Sequence, residues 1–557
     1  MFKELEEVIR SEMERTQVPG LAIALVKGQE IVWSQGYGYA DIKTKSPVTS
    51  ATVFRIQSAT KPVVATALMQ WYERDRFKLD DPVNQHTGAI RVHSEWEKTT
   101  PVTIRHLLTH TAGFPPAASV AAFIGQSELP TLEEYVAAVA RTTQPPGRGI
   151  VYTDISYAVI GYLVGRFAGQ PYDVYLRENV LKPLGMESSG IAHPPQGTVA
   201  TGYFLSRVDG EHHEVSVPLL VCKPGSPAGA LLSTVDDLGR FLVAHLNIGV
   251  YEGRRILREE TVAEMHGLHA RAGRSQSGIG LGFMVYDVDG RRQVCHGGGA
   301  PGWAALIAAY PEEKVGVAIL TNMDGAFYTL PMVADVALNG LLGQLRRHDM
   351  SRLKRWPVPD DWNRVAGRYS LRYQDAIVAI EGDLLTVEVG GMKSYMEHQH
   401  DGLFRAHDGF FGGCQITFEY GSDGEATRFY GGNYPFWFER QEDAGAATQL
   451  AVDEEGDPVG CWHGTCSSLL GPMPLTLRIG DVGTATVTAP TVQDAAVQQF
   501  RVDRGSVSGH FDISLRGFGE FRVFLRLSAR GGKLQGQAYA RGAIGEYPMP
   551  TELTRES

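Results

Sequence analysis

Phe54-Arg-Ile-Gln-Ser58-Ala-Thr-Lys61-Pro62-Val-Val-Ala-Thr-Ala-Leu-Met-Gln-Trp71 is the stretch whose reading decides the fold. Apolar residues at helical spacing (Val63, Ala67, Leu68, Trp71) predict a helix over 62–74. Ser58 and Lys61 stand about one turn apart at its N-terminus, so the ammonium can reach the hydroxyl on one face. Free N–H groups and the helix dipole at such an end favour a developing oxyanion. Pro62 does no harm, because a first turn has few intrahelical N–H bonds to lose. Alone, Ser-x-x-Lys is weak. Ser351-Arg-Leu-Lys354 repeats it ahead of Arg-Trp-Pro with no helix behind it, and Ser58 by itself reads as an ordinary helix cap.

Outward from this stretch, two more elements carry chemistry. Tyr152-Thr-Asp154 follows a Pro-Pro-Gly turn and precedes a helical pattern over 157–167, which places it on a loop between elements. Tyr-x-Asp recurs at Tyr39 and Tyr373, so this motif is also weak alone. His296-Gly-Gly-Gly299-Ala-Pro-Gly302 lies just ahead of the apolar run 304–310. Its glycines allow close approach of a substrate and leave N–H groups as donors. Strand patterns at 21–26 and 30–35, a hairpin pattern at 304–310 and 315–321, and helices between them predict one antiparallel sheet flanked by helices.

Beyond Trp356-Pro-Val-Pro359 the texture becomes short strands between Gly and Asp turns: 377–380, 384–389, 415–420, 428–430 and 436–438. An acidic, Ala-rich, aperiodic stretch follows, and strand patterns resume at 475–479, 483–488, 507–515, 520–527 and 533–539. Trp362-Asn-Arg-Val-Ala-Gly-Arg-Tyr369 and Cys461-Trp462-His-Gly464 open the two blocks in a similar way. The expected layout is an α/β catalytic domain over 1–350, a small antiparallel β-barrel over 357–441, a linker over 442–458 and a second barrel over 459–557. Two unrelated β-sandwiches are the alternative.

Composition mainly excludes. A chain of 557 residues exceeds what one core sustains. With 52 basic against 63 acidic residues the net charge is -11, which argues against nucleic acid as a partner. No apolar run approaches membrane-span length, and Met1–Thr16 is a charged amphipathic helix rather than a signal peptide, so a cytoplasmic location is expected. Five cysteines do not make a disulfide framework, and Cys461 and Cys466 fall on opposite faces of one strand. Gly278-Ile-Gly-Leu-Gly282 lacks the setting of a dinucleotide loop. His398, His400 and His407 read as a solvated loop rather than a metal site. No G-x-S-x-G occurs, and no Cys has a placed His partner. No metal or organic cofactor is implied.

Residues 1–345 resemble the penicillin-recognising serine hydrolases, in particular the group around class C β-lactamases, D-aminopeptidases and S-x-x-K esterases. The resemblance runs in order through Val18-Pro-Gly20, Gly36-Tyr-Gly38, Ser58-Ala-Thr-Lys61, Leu79-Asp-Asp-Pro-Val83, Ile104-Arg-His-Leu-Leu-Thr-His-Thr-Ala-Gly113, Tyr152-Thr-Asp154, Leu184-Gly-Met186, Pro227-Ala-Gly229, His296-Gly-Gly and Leu320-Thr-Asn322. It implies Ser58 as the nucleophile of an acyl-enzyme, Lys61 or Tyr152 as its base, and an oxyanion hole at the N–H groups of Ser58 and Gly299. It also implies His296 as a further catalytic residue and a substrate site with Asp154, Gly297 and Gly298.

Two departures stand out. Asp154 occupies a place where the family usually has Asn, and a carboxylate beside Lys61 favours its charged form. His296 stands where β-lactamases carry Lys, which resembles the D-aminopeptidase group. Two C-terminal lipocalin-like barrels point the same way, with loops at 431–438 and 516–520 as candidates to reach an active site. The expectation is a peptidase or amidase on small peptides or amides. A carboxylesterase, a weak β-lactamase, or a slowly acylated penicillin-binding sensor are the alternatives, and homo-oligomerisation stays open.

Overall fold

A computed structural model gives the fold. It describes residues 2–115, 130–191, 197–205, 211–215, 226–300, 302–323, 330–344, 360–371, 374–382, 384–389, 392–400, 403–407, 411, 413–431, 437–441, 458–468, 471–480, 484–489, 492–503, 506–515, 519–530, 533–542 and 545–555. The second Ser-x-x-Lys at 351–354 and most of the 442–458 linker lie outside them, as do the centres of the loops 431–438 and 516–520. The chain divides into two compact units. One comprises Met1–Ser119, Leu129–Thr201 and Leu219–Asp443; the other comprises Val120–Glu128, Gly202–Pro218 and Ala444–Ser557.

The first unit is built on a nine-stranded antiparallel sheet. Its order is Ala270–Arg271, Gly278–Ile279, Met284–Val288, Arg291–Ala300, Trp303–Tyr310, Val315–Thr321, Gly20–Lys27, Glu30–Asp41 and Ser46–Pro47. Strands far apart in the sequence, Gly20–Lys27 and Val315–Thr321, therefore pair inside the sheet, with Leu21 opposite Thr321 and Lys27 opposite Val315. Val315–Thr321 and all of Gly20–Lys27 but its last residue are buried, which explains their unbroken apolar sequence. Helices Val235–Leu246 and Leu330–Leu341 pack against these strands.

Helix Thr60–Tyr72 begins two residues before the sequence pattern suggests. It is buried from Thr60 to Gln70, as an all-round apolar helix must be. Asp154–Ala168 packs on it, capped by the Thr153 hydroxyl at its start and by left-handed Gly169 at its end.

Also in this unit, eight antiparallel strands from Gly367–Leu371 to Trp437–Arg440 form a closed barrel, sealed by Tyr369 opposite Arg440. Two of its strands, Met392–His400 and Leu403–His407, replace the expected solvated loop. There Ser394 and Met396 face inward while Lys393 and Glu397 stay accessible, so the outward polar residues disguise the alternation. His398 and His407 are thus strand residues, and His407 Nε2 lies 3.0 Å from Glu397 Oε2. The barrel is fastened to the nine-stranded sheet of this unit. Arg405 pairs with Asp287 at 2.8 Å, the Asp289 N–H donates to the Gly413 carbonyl at 3.1 Å, and Gln415 Oε1 accepts from the Gln276 N–H at 2.8 Å.

The second unit holds a nine-stranded sheet that nearly closes. Its two edges, Val492–Ala496 and Gln498–Asp503, are consecutive in sequence. Both β units open on Gly-x-aromatic, Gly367-Arg-Tyr369 and Gly460-Cys-Trp462. In each, the aromatic donates to a carbonyl four residues back: Tyr369 Oη to Val365 at 2.7 Å and Trp462 Nε1 to Pro458 at 2.8 Å. In each, an arginine of the last strand donates to the carbonyl just before the glycine, Arg440 to Ala366 and Arg555 to Val459. The shared opening therefore pairs Tyr369, rather than Trp362, with Trp462.

Among the described residues no helix is long and apolar enough to cross a membrane.

Candidate active site

Ser58 sits in the 3-10 turn Gln57–Ala59 that feeds straight into helix Thr60–Tyr72. Gln57 adopts φ +49°, a left-handed conformation that costs a non-glycine residue energy and is retained where its surroundings enforce it. Those surroundings are the short strand pairing of Phe54–Arg55 with Leu231–Ser233 and the Ile56 N–H bonded to the Leu231 carbonyl at 3.1 Å.

Lys61, fully buried, directs its ammonium at three acceptors. These are Ser58 Oγ at 3.0 Å, Asp154 Oδ1 at 2.8 Å and the Ala228 carbonyl at 2.9 Å. It also lies over the ring of Tyr152 at 4.8 Å and that of Tyr157 at 5.6 Å. Such a set satisfies a buried cation. Burial alone pulls Lys61 toward its neutral form, but Asp154 and Tyr152 outweigh it and hold the ammonium above its ordinary pKa. Asp154 keeps 54% of its side chain exposed while it does so. The Tyr152 hydroxyl interacts with both Lys61 and Ser58. Burial pushes that phenol up, the Lys61 charge opposes it, and Asp154 raises it further, so the net shift is upward. The resting site thus holds an ammonium and an un-ionised phenol beside the Ser58 hydroxyl.

Arg291–Ala300 brings the third element. Its pairing with Met284–Val288 stops at Cys295, so His296 to Ala300 pair on one side only, with Trp303–Ile307. Gly298 is required: a Cβ there would lie 2.0 Å from the Ile56 carbonyl oxygen, so only glycine lets the strand pack on the Ser58 turn. His296 is buried, its Nδ1 2.7 Å from the Gly297 carbonyl, and its ring centroid is 6.1 Å from that of Tyr152. Burial, reinforced by the Lys61 charge and opposed by the Gly297 carbonyl, holds the imidazole down at about 3, so it is neutral at neutral pH. With the Gly297 carbonyl directed at His296, strand alternation turns the Gly299 N–H toward the same edge.

Ser58, Lys61, Tyr152 and Asp154 are thus gathered around one another, with His296 beside Tyr152 and Gly298 against the Ser58 turn. Sequence reasoning gave no role to two further members. The Ala228 carbonyl binds Lys61 across 167 residues, and His110 stacks on Tyr152 at 4.3 Å. Both lie in stretches that carry the family resemblance, yet spacing could not reveal their contacts. Outside this unit, Cys461 does have a histidine partner, contrary to expectation. Residues i and i+2 share a strand face, which places His463 Nε2 3.3 Å from its Sγ. Among the described residues no group of three His, Cys, Asp or Glu side chains could hold a metal ion.

Comparison with known proteins follows the same outline. Protein flp of Staphylococcus aureus (strain COL) is 22% identical over 335 residues, which cover 58% of this chain and 64% of flp. The chain therefore spans just under two thirds of the length of that relative. The octameric penicillin-binding protein homologue from Pyrococcus abyssi is 26% identical with a TM-score of 0.55, covering 77% of this chain and 95% of the other. EstCE1, a hydrolase with promiscuous acyltransferase activity, shares the fold at 22% identity and a TM-score of 0.51, covering 60% and 97%. The Beta-lactamase family profile matches residues 5–334, the region that holds Ser58, Lys61, Tyr152 and His296 and more than half of the sequence, and to that family the chain belongs.

Proposed function

We propose that this protein is a serine hydrolase that works through an acyl-enzyme on Ser58, with small amides or short peptides as substrates in a D-aminopeptidase-like manner. The observation that carries the reading is the Ser58 hydroxyl at 3.0 Å from the buried Lys61 ammonium, which lies 4.8 Å over the Tyr152 ring.

The free hydroxyl is a poor nucleophile and needs a base. One proton must leave the Lys61–Tyr152 pair before it can accept another, and the two groups titrate as a unit. Ser58 Oγ then attacks the carbonyl carbon as its proton passes to this pair. The Ser58 and Gly299 N–H groups receive the oxyanion. Collapse expels the amine, which takes the proton back, and water repeats the sequence to free the acid. Gly297 and Gly298 keep the strand close enough for an extended substrate to lie along it. His296, un-ionised, lends no positive charge for a substrate carboxylate, which disfavours β-lactam turnover. Asp154 has an ion-paired oxygen and an exposed remainder, which supports a second task, the recognition of a substrate ammonium.

A carboxylesterase is the nearest alternative, because the same machinery serves esters. Another is a sensor that acylates without turnover. An ester, a D-aminoacyl anilide and a chromogenic β-lactam separate these readings. The anilide is expected to have the highest kcat/KM. Preference for the ester favours the esterase. Stoichiometric acylation without turnover, lost in Ser58→Ala, favours the sensor. Rapid β-lactam hydrolysis contradicts the reading of His296. The octameric state of the Pyrococcus homologue supports homo-oligomerisation here, which light scattering would test.

A further inference from the structure

His110 makes three separate contacts with three consecutive residues around Tyr152. Its carbonyl accepts the Val151 N–H at 2.8 Å, and its ring Nδ1 accepts the Thr153 N–H at 3.2 Å. Its ring stacks on the Tyr152 ring, centroids 4.3 Å apart and planes 28° apart. It also meets the Tyr157 ring, centroids 5.3 Å apart. The residue is only 2% exposed, and its backbone is left-handed at φ +56°. A non-glycine residue keeps that conformation where its neighbours over-determine it, and such places cluster at active sites. Because Nδ1 accepts, the ring proton must sit on Nε2. Burial first, then the Lys61 charge and His296, hold this imidazole well below its ordinary pKa, so Nδ1 stays an acceptor at neutral pH.

We infer that His110 is a positioning residue for the acyl-transfer step, fixing the Tyr152 hydroxyl against Ser58 by holding the backbone on both flanks of Tyr152. The inference rests on the proposed role of the Ser58 site. Tyr152 is the one proton-carrying member of that site on a loop, since Ser58 and Lys61 belong to a continuous turn and helix. A loop side chain needs an external brace to hold its hydroxyl steady. Misplacement of a catalytic group by about 1 Å can cost on the order of 100-fold in rate.

Two substitutions separate the brace from the packing. His110→Asn puts an amide oxygen where Nδ1 stood, tolerates the left-handed backbone and removes the ring. His110→Phe keeps a stacked ring and removes the acceptor, leaving the buried Thr153 N–H unpaired. With a chromogenic ester, His110→Phe should lower the acylation rate about 30-fold or more with KM within about 3-fold, and His110→Asn should return it to within about 3-fold of the parent. A His110→Phe protein acylating at the parent rate, or a folded His110→Asn protein as slow as His110→Phe, would overturn the assignment. If His110→Phe fails to fold, the rate of His110→Asn against the parent decides alone. Ser58→Ala run alongside tells the two proposals apart: if it still turns over the ester, the reading of the site itself has failed.

Discussion

Lys61 in the candidate active site and Arg440 at the opening of the first barrel are both cations drawn into the protein, in very different company. Lys61 is fully buried and meets a carboxylate, a hydroxyl, a phenol and one carbonyl. Arg440 reaches three backbone carbonyls, Arg364 at 2.9 Å, Ala366 at 2.9 Å and Ala426 at 3.1 Å, with Glu425 at 3.0 Å as its ion-pair partner. Carbonyls cannot exchange protons, and a guanidinium does not lose one in proteins, so the Arg440 site can only hold strands together. An ammonium among titratable neighbours can pass a proton when a substrate arrives. On the proposed function, chemistry and cohesion are therefore separated within one compact unit by the choice of cation and by what surrounds it.

The sharpest way to break this contrast is Lys61→Arg. It keeps the charge but removes the exchangeable proton and adds bulk to a filled site, so kcat/KM should fall by about 10³-fold or more. Near-parent turnover would mean that the lysine supplies only charge.

Asp154→Asn is the intermediate test. Asp154 raises the Lys61 pKa, so its removal lets the Lys61–Tyr152 pair shed its proton more readily, and the acidic limb of the kcat/KM profile should move to lower pH. If the carboxylate also meets a substrate ammonium, aminoacyl anilides should lose about 5-fold relative to acyl substrates without an amine, the scale of a half-exposed ion pair. An unmoved profile and unchanged selectivity would leave Asp154 only the task of holding Lys61 in place.

Arg440→Met sharpens the other side. Three carbonyls lose their donor, so the first unit should lose about 1–3 kcal/mol in denaturant unfolding. Turnover per folded molecule should stay at the parent value. A drop in kcat would show that the barrel opening is coupled to the chemistry.

Local patterns made the helix behind Ser58, the central strands and the candidate residues Ser58, Lys61 and Tyr152 legible, because helix spacing, unbroken apolar runs and glycine clusters are written over short stretches. Contacts between distant segments were not. Thr153 meets His110 across 43 residues and Lys61 meets Ala228 across 167, and nothing in either neighbourhood encodes the pairing. In the first barrel, polar side chains such as His398 and His407 hid two strands, because a strand's outward positions need not be apolar and His398 packs edge-on against Phe404. The repeat of the two β units was visible, but its register emerged only from hydrogen bonds. Trp362 and Trp462 look equivalent in sequence, whereas the bonds to Val365 and Pro458 match Tyr369 with Trp462.

The central claim is that Ser58 carries the acyl group. Intact-protein mass spectrometry after brief exposure to a slowly released acylating ester, followed by peptide mapping, tests it most directly. The account predicts one acyl adduct per chain on the peptide containing Ser58 and none in Ser58→Ala. An adduct that persists in Ser58→Ala, or that maps to another residue while turnover continues, would contradict it.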